Sequence, residues 1–115
     1  MGIKIYHNPR CSKSRQTLQL LVDNNLKPEI VEYLKTPPSR EELEQVLAML
    51  NLEPRKLMRT KEKEYKALGL DNPDLGHDDL ITAMLENPKL IERPIVIKDG
   101  KAAIGRPPQQ VLEIL

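Results

Sequence analysis

"IKIYHNPRCSKSRQTLQLL", residues 3–21, changes its period midway, and that change decides the fold. Ile3 and Ile5 alternate with polar neighbours, as in a half-buried strand, until Asn8 and Pro9 break the run. From Cys11 onward Leu18, Leu21 and Val22 recur at helical spacing, predicting a helix that fades at Asp23, Asn24 and Asn25. "PEIVEYL", residues 28–34, predicts a second strand. Strand, helix and strand in this order make a βαβ unit with a parallel pair.

Working outward, Ser39 and Glu42 form a capping box ahead of a helix whose apolar face is Leu43, Val46, Leu47 and Leu50. "EPRKLMR" and "EKEYKALGL" predict shorter helical pieces, the second closed by Gly69. "DDLITAMLENP" predicts a further helix that stops before Pro88. Residues 36–91 therefore read as a helical insertion. "PIVIKDGKAAIG" then predicts a hairpin with a type I′ turn at Asp99 and Gly100. "RPPQQVLEIL" predicts a closing helix whose first turn tolerates proline. The order β-α-β, helical block, β-β-α is the layout of a thioredoxin-like α/β fold with a central mixed sheet. Residues 1–115 show no repeat, linker or low-complexity segment, so a single domain is expected.

Composition narrows the function classes. The chain has 115 residues and no Trp or Phe, so Leu, Ile, Val and Met must fill one modest core. A net charge of +1 predicts no general attraction to nucleic acid or membrane. Tyr6, Tyr33 and Tyr65 are too scattered to form a stacking platform for bases. A single Cys excludes an internal disulfide framework and points to a reducing compartment. No apolar run approaches membrane-spanning length, and a strand pattern beginning at residue 3 leaves no room for a signal peptide. Tyr6 stands where a myristoylation motif at Gly2 would need Ser or Thr. The expectation is a cytoplasmic monomer with no bound cofactor.

Cys11 lies at a strand-to-helix junction, where unsatisfied backbone N–H groups favour negative charge. Arg10, Lys13 and Arg15 crowd it, and His7 is near in sequence. A thiolate is the reactive form of cysteine, and such surroundings lower the thiol pKa. Cys11 precedes the apolar face of the helix and follows a polar loop, which fits a reactive thiol better than a core residue. "CSKS" is a C-x-x-C redox pattern with Ser14 in place of the second sulfur. Ser14 either caps the helix or donates a hydrogen bond to the sulfur. With no second thiol in the chain, an adduct on Cys11 needs an external one, for which glutathione is the candidate. Thr17 stands where a C-x5-R phosphatase loop requires arginine, so that chemistry is excluded.

Arg59, Arg93 and Arg106 are the candidate oxyanion ligands, because guanidinium forks match a tetrahedral oxyanion. Arg93 and Arg106 flank the predicted hairpin. One Cys and two His make no convincing metal site. His77, beside acidic residues at a helix start, reads as a surface or capping residue, and "RTKEKEYK" as a solvated helix face. "GRPPQQ" has a single glycine and is a weak phosphate-loop signal.

"YHNPRCSKSRQTLQLL", "LMRTKEKEY", "NPKLIERPIVI" and "IGRPPQQVLEIL" together resemble the glutaredoxin-like arsenate reductase family, in order and through nearly the whole chain. The resemblance implies that Cys11 is the catalytic cysteine and that His7 helps lower its pKa. It implies that Arg59, Arg93 and Arg106 bind the oxyanion and that Pro94 is cis. It further implies that glutathione and glutaredoxin supply electrons after the Cys11 thiolate attacks arsenate. Ser12 and Lys13 depart from the Gly and Thr of better-understood members, and their carboxyl-terminal extension has no counterpart here. Two other functions share the fold. A monothiol glutathione-dependent oxidoreductase would use Cys11 and Ser14 but gives the three arginines no common task. An RNA polymerase-binding stress regulator would carry C-x-x-C and lack an arginine at position 106.

Overall fold

The computed structural model describes residues 2–115. The chain divides into two compact units. One runs to Thr36 and resumes over Arg93–Leu115, and the other is Pro37–Glu92.

The first unit holds the sheet. Strand β1 (Ile3–Tyr6) is followed by helix α1 (Ser12–Asp23) and strand β2 (Glu29–Val31), and the chain returns as β3 (Ile95–Lys98) and β4 (Lys101–Ile104). The strand order is β2-β1-β3-β4. β1 pairs parallel with β2 and antiparallel with β3, with Ile5 opposite both Ile30 and Val96. β3 pairs antiparallel with β4, with Val96 opposite Ala103. This is the expected mixed sheet of a thioredoxin-like fold. Ile3, Ile5 and Val96 pack with Leu21 of α1 and with Val111, forming a core that excludes water from one sheet face.

Local chemistry explains the elements and their departures from expectation. Asp99 and Gly100 both have positive φ (51° and 79°), as the type I′ turn requires. β2 is shorter than expected because it is an exposed edge. Ile30 is half exposed, and a turn begins at Glu32, whose carbonyl accepts the N–H groups of Lys35 and Thr36. In α1 the buried stripe is Ser14, Thr17 and Leu21, while Val22 is half exposed. Leu18 and Leu21 of the expected face do pack in the core, and only Val22 leaves it, while the first turns of α1 direct the small polar side chains of Ser14 and Thr17 inward as well. The closing segment Pro108–Ile114 is a 3-10 helix and not an α-helix. Pro107 and Pro108 supply no N–H, and the first bond runs from Gln110 N to Pro107 O.

The second unit contains α2 (Arg40–Leu50), α3 (Pro54–Leu57), α4 (Lys63–Ala67), α5 (His77–Glu86) and a 3-10 turn at Pro88–Leu90. The capping box is present: Ser39 Oγ accepts from Glu42 N at 3.1 Å, and Glu42 accepts from Ser39 N at 3.3 Å. Leu43, Val46, Leu57, Ile81, Met84 and Leu90 are buried. Arg55 ties α3 to the following loop by donating to Tyr65 Oη, Leu70 O and Asn72 O. Gly69, at φ +68°, follows α4 as expected. His77 opens α5 on the surface and meets Glu44. No helix among the described residues is long and apolar enough to cross a membrane.

Candidate active site

Cys11 is the N-cap residue of α1, with extended backbone (φ −94°, ψ 123°) and partial exposure. Its N–H donates to Asn8 O at 3.0 Å and closes the turn Asn8–Cys11. No side-chain oxygen caps this helix. The N–H groups of Ser14 and Lys13 face the sulfur instead, together with two arginines from the far end of the chain. Arg106 Nη2 lies 3.3 Å from Cys11 Sγ, across 95 residues of sequence. Arg93 also reaches the sulfur with its side chain, and Arg106 Nε donates to Arg93 O at 2.7 Å, which binds the two arginine segments together.

These groups oppose each other electrostatically. Burial pushes the Cys11 thiol pKa up. The Ser14 N–H, the Arg93 side chain, the Lys13 N–H and the Arg106 charge outweigh it, so the thiol lies below its ordinary value. The expected activation by sequence neighbours takes a different form. Lys13 acts through its backbone, and Arg15 donates to Pro9 O at 2.9 Å. The side-chain charge comes from Arg93 and Arg106.

His7 and Ser14 have a structural part. Ser14 is fully buried, and its Oγ accepts from Asn8 N at 3.0 Å while meeting His7 Nδ1 at 2.6 Å. Burial holds the His7 pKa below its ordinary value, with Glu32 opposing and Arg15 reinforcing. Burial thus favours the neutral ring, which shares a hydrogen bond with the Ser14 hydroxyl through Nδ1. The Ser14 hydroxyl thus anchors the loop, and only its N–H serves the sulfur. The His7 ring meets Ser14, whose backbone N–H serves the sulfur.

Pro94 follows Arg93 through a cis bond, as the resemblance implied, and Arg106–Pro107 is cis as well. Gly105 was missed as a site residue. Its N–H donates to Pro94 O at 2.9 Å, and a Cβ there would lie 2.8 Å from Pro94 Cγ and run into the Thr17 side chain. Thr17 is fully buried and donates to Lys13 O at 2.8 Å, so it has no room to yield. Only glycine lets the end of β4 pass this close to α1 and deliver Arg106 to the thiol. The available signal was the lone glycine directly before Arg106.

Arg59 belongs to the second unit. Its Nε lies 3.2 Å from Glu62 and its Nη1 3.1 Å from Glu92, all three side chains being about a quarter exposed. Its N–H donates to Leu90 O at 2.7 Å. Two carboxylates therefore already engage this guanidinium.

Known proteins are similar to this chain along its whole length. The chain is 56% identical over 114 residues to the uncharacterized protein YfgD of Escherichia coli strain K12, covering 98% of this chain and 96% of that protein. It is 51% identical over 116 residues to an arsenate reductase of Haemophilus influenzae, with each chain covered completely. The solved structure of an arsenate reductase from Vibrio cholerae superposes with a TM-score of 0.97 at 54% identity, covering 100% of this chain and 98% of that one. The model of the ArsC family matches residues 6–114, and the chain belongs to that family.

Proposed function

We propose that the protein reduces arsenate to arsenite, with Cys11 as nucleophile and glutathione and glutaredoxin as the source of electrons. The observation that carries this reading is the meeting of Arg93 and Arg106 at the one thiol of the chain. Two guanidinium groups beside a thiolate form a place where an oxyanion can be held against its nucleophile. The names of the relatives at about half identity support arsenate as that oxyanion.

The Cys11 thiolate attacks As(V) and forms an S–As bond, while one arsenate oxygen takes up protons and leaves as water. Arg93 and Arg106 neutralise the remaining oxygens, and Arg59 is assigned to the same task by the family resemblance. Glutathione attacks the adduct because the chain has no second thiol, and glutaredoxin completes electron delivery. Over one turnover two thiols become a disulfide, two electrons pass to arsenic, and As(V) leaves as As(III). A reducing compartment suits this cycle.

The test is arsenite release from arsenate with glutathione and glutaredoxin supplied. The wild-type protein turns over, omission of glutaredoxin slows it, and Cys11→Ser lowers the rate by at least ~1,000-fold, as for loss of a nucleophile. Wild-type protein that releases no arsenite under these conditions overturns the reading.

A further inference from the structure

The turn that carries the thiol is organised around Asn8. This side chain is buried, 7% exposed, in the loop between β1 and Cys11. Its Oδ1 accepts the N–H of Arg10 at 3.0 Å, and its main-chain oxygen accepts that of Cys11 at the same distance. The first bond makes an Asx turn, and the second closes the turn Asn8–Cys11 around it. The N–H of Asn8 donates to Ser14 Oγ at 3.0 Å, within the first turn of α1. Asn8 thus grips the chain on both sides of the thiol, at Arg10 before it and at Ser14 after it.

The sulfur depends on that grip. Cys11 keeps an extended backbone as the N-cap of α1, and the N–H groups of Lys13 and Ser14 face its sulfur. Hydrogen bonds weaken steeply as their angle departs from linearity, so a Cys11 backbone free to turn loses them. We propose that Asn8 is a positioning residue for Cys11: its side chain builds the turn that sets the sulfur over the first N–H groups of α1, and does so without bringing a charge. Neutrality is the specific requirement. Aspartate makes the same Asx turn, but its carboxylate repels a thiolate held in that turn. Serine and threonine are neutral but make such turns more weakly. An amide meets both demands. The assignment rests on the reading of Cys11 as a nucleophilic thiolate and is independent of arsenate as its substrate.

The experiment follows alkylation of Cys11 by iodoacetamide across pH in the full chain, for wild type, Asn8→Ala and Asn8→Asp. Asn8→Ala moves the inflection to higher pH and slows alkylation below it by about fivefold, as for the weakening of a hydrogen bond to a charged group. The alkaline plateau stays at the wild-type rate. Asn8→Asp keeps the turn, read as wild-type protection of the Arg10 amide from hydrogen exchange, yet its inflection also moves to higher pH. Added salt shrinks the Asn8→Asp shift, because screening acts on charge, and leaves the Asn8→Ala shift in place. A lowered urea midpoint in Asn8→Ala with a wild-type alkylation profile overturns the proposal, as does a wild-type profile in Asn8→Asp. The second variant decides alone if the first does not fold. Shifted profiles in a protein that releases no arsenite uphold the role of Asn8 and remove only the arsenate reading. Arsenate turnover by wild type, with unshifted profiles in both variants, removes the role of Asn8 alone.

Discussion

Helices α1 and α2 both begin at a residue in extended conformation, and they differ in what meets their first N–H groups. At α2 the Ser39–Glu42 box fills both roles within four residues, and the end is electrostatically closed. At α1 the N-cap is Cys11, and the N–H groups of Lys13 and Ser14 are left for a sulfur. One end is spent on stability, and the other holds a charge that can react. The arginines divide in the same way. Arg106 reaches Cys11 Sγ, whereas Arg59 is clasped by Glu62 and Glu92.

Removing each arginine separates these environments and has the largest expected effect. Arg106→Ala and Arg93→Ala each lower arsenate turnover by about 100- to 1,000-fold, the range for loss of one donor to a developing anion. Both also move the inflection of the Cys11 alkylation rate to higher pH, because each removes a group that lowers the thiol pKa. Arg59→Ala leaves that inflection in place, and its effect appears as a raised KM for arsenate. An alkylation profile unchanged in Arg106→Ala would show that the helix N–H groups alone hold the thiolate.

The closed end was readable because its parts lie close together. Ser39 and Glu42 are three residues apart, and Asp99 and Gly100 are adjacent. The open end was readable only in part. Cys11 stood out as a lone thiol at a period change, but Arg10, Lys13 and Arg15 looked like its charge partners through proximity. Backbone direction overrides that proximity: Arg15 turns to Pro9 O, and the charge arrives from Arg93 and Arg106, more than 80 residues away. Ser14 and Thr17 lie outside the apolar pattern of α1 and are buried beside it, because their hydroxyls are satisfied locally, by His7 and Asn8 and by Lys13 O respectively. Gly105 escaped notice because a close approach between β4 and α1 leaves no local trace beyond the glycine itself.

That close approach gives the next effect in size. Gly105→Ala places a methyl group against Thr17 and the Pro94 ring, where neither can move without disturbing a buried bond. Overpacking of this kind costs about 1–3 kcal/mol, measured as a lowered urea midpoint with an unchanged slope. It also displaces Arg106, so alkylation of Cys11 slows near neutral pH. Stability loss with a wild-type alkylation profile would mean that Gly105 serves packing alone.

The smallest effects exchange the two helix ends. Ser39→Ala opens the α2 box and lowers stability by about 1 kcal/mol, with no change in the Cys11 alkylation profile. Cys11→Ser does the reverse, because serine is a preferred N-cap and its oxygen can accept from the first turn of α1. Its stability relative to wild type depends on pH, with a definite sign. The Cys11 pKa is lower in the folded chain than in the unfolded one, so its ionisation stabilises the fold fully above the ordinary thiol range. That contribution is lost as pH falls through the lowered value. Cys11→Ser is therefore more stable than wild type on the acid side, and the gap closes as pH rises. Urea unfolding of both proteins across this range reads the difference directly. A gap that stays constant with pH would mean that the N–H groups of Lys13 and Ser14 hold thiol and thiolate equally, and that the open end of α1 does nothing for the charge.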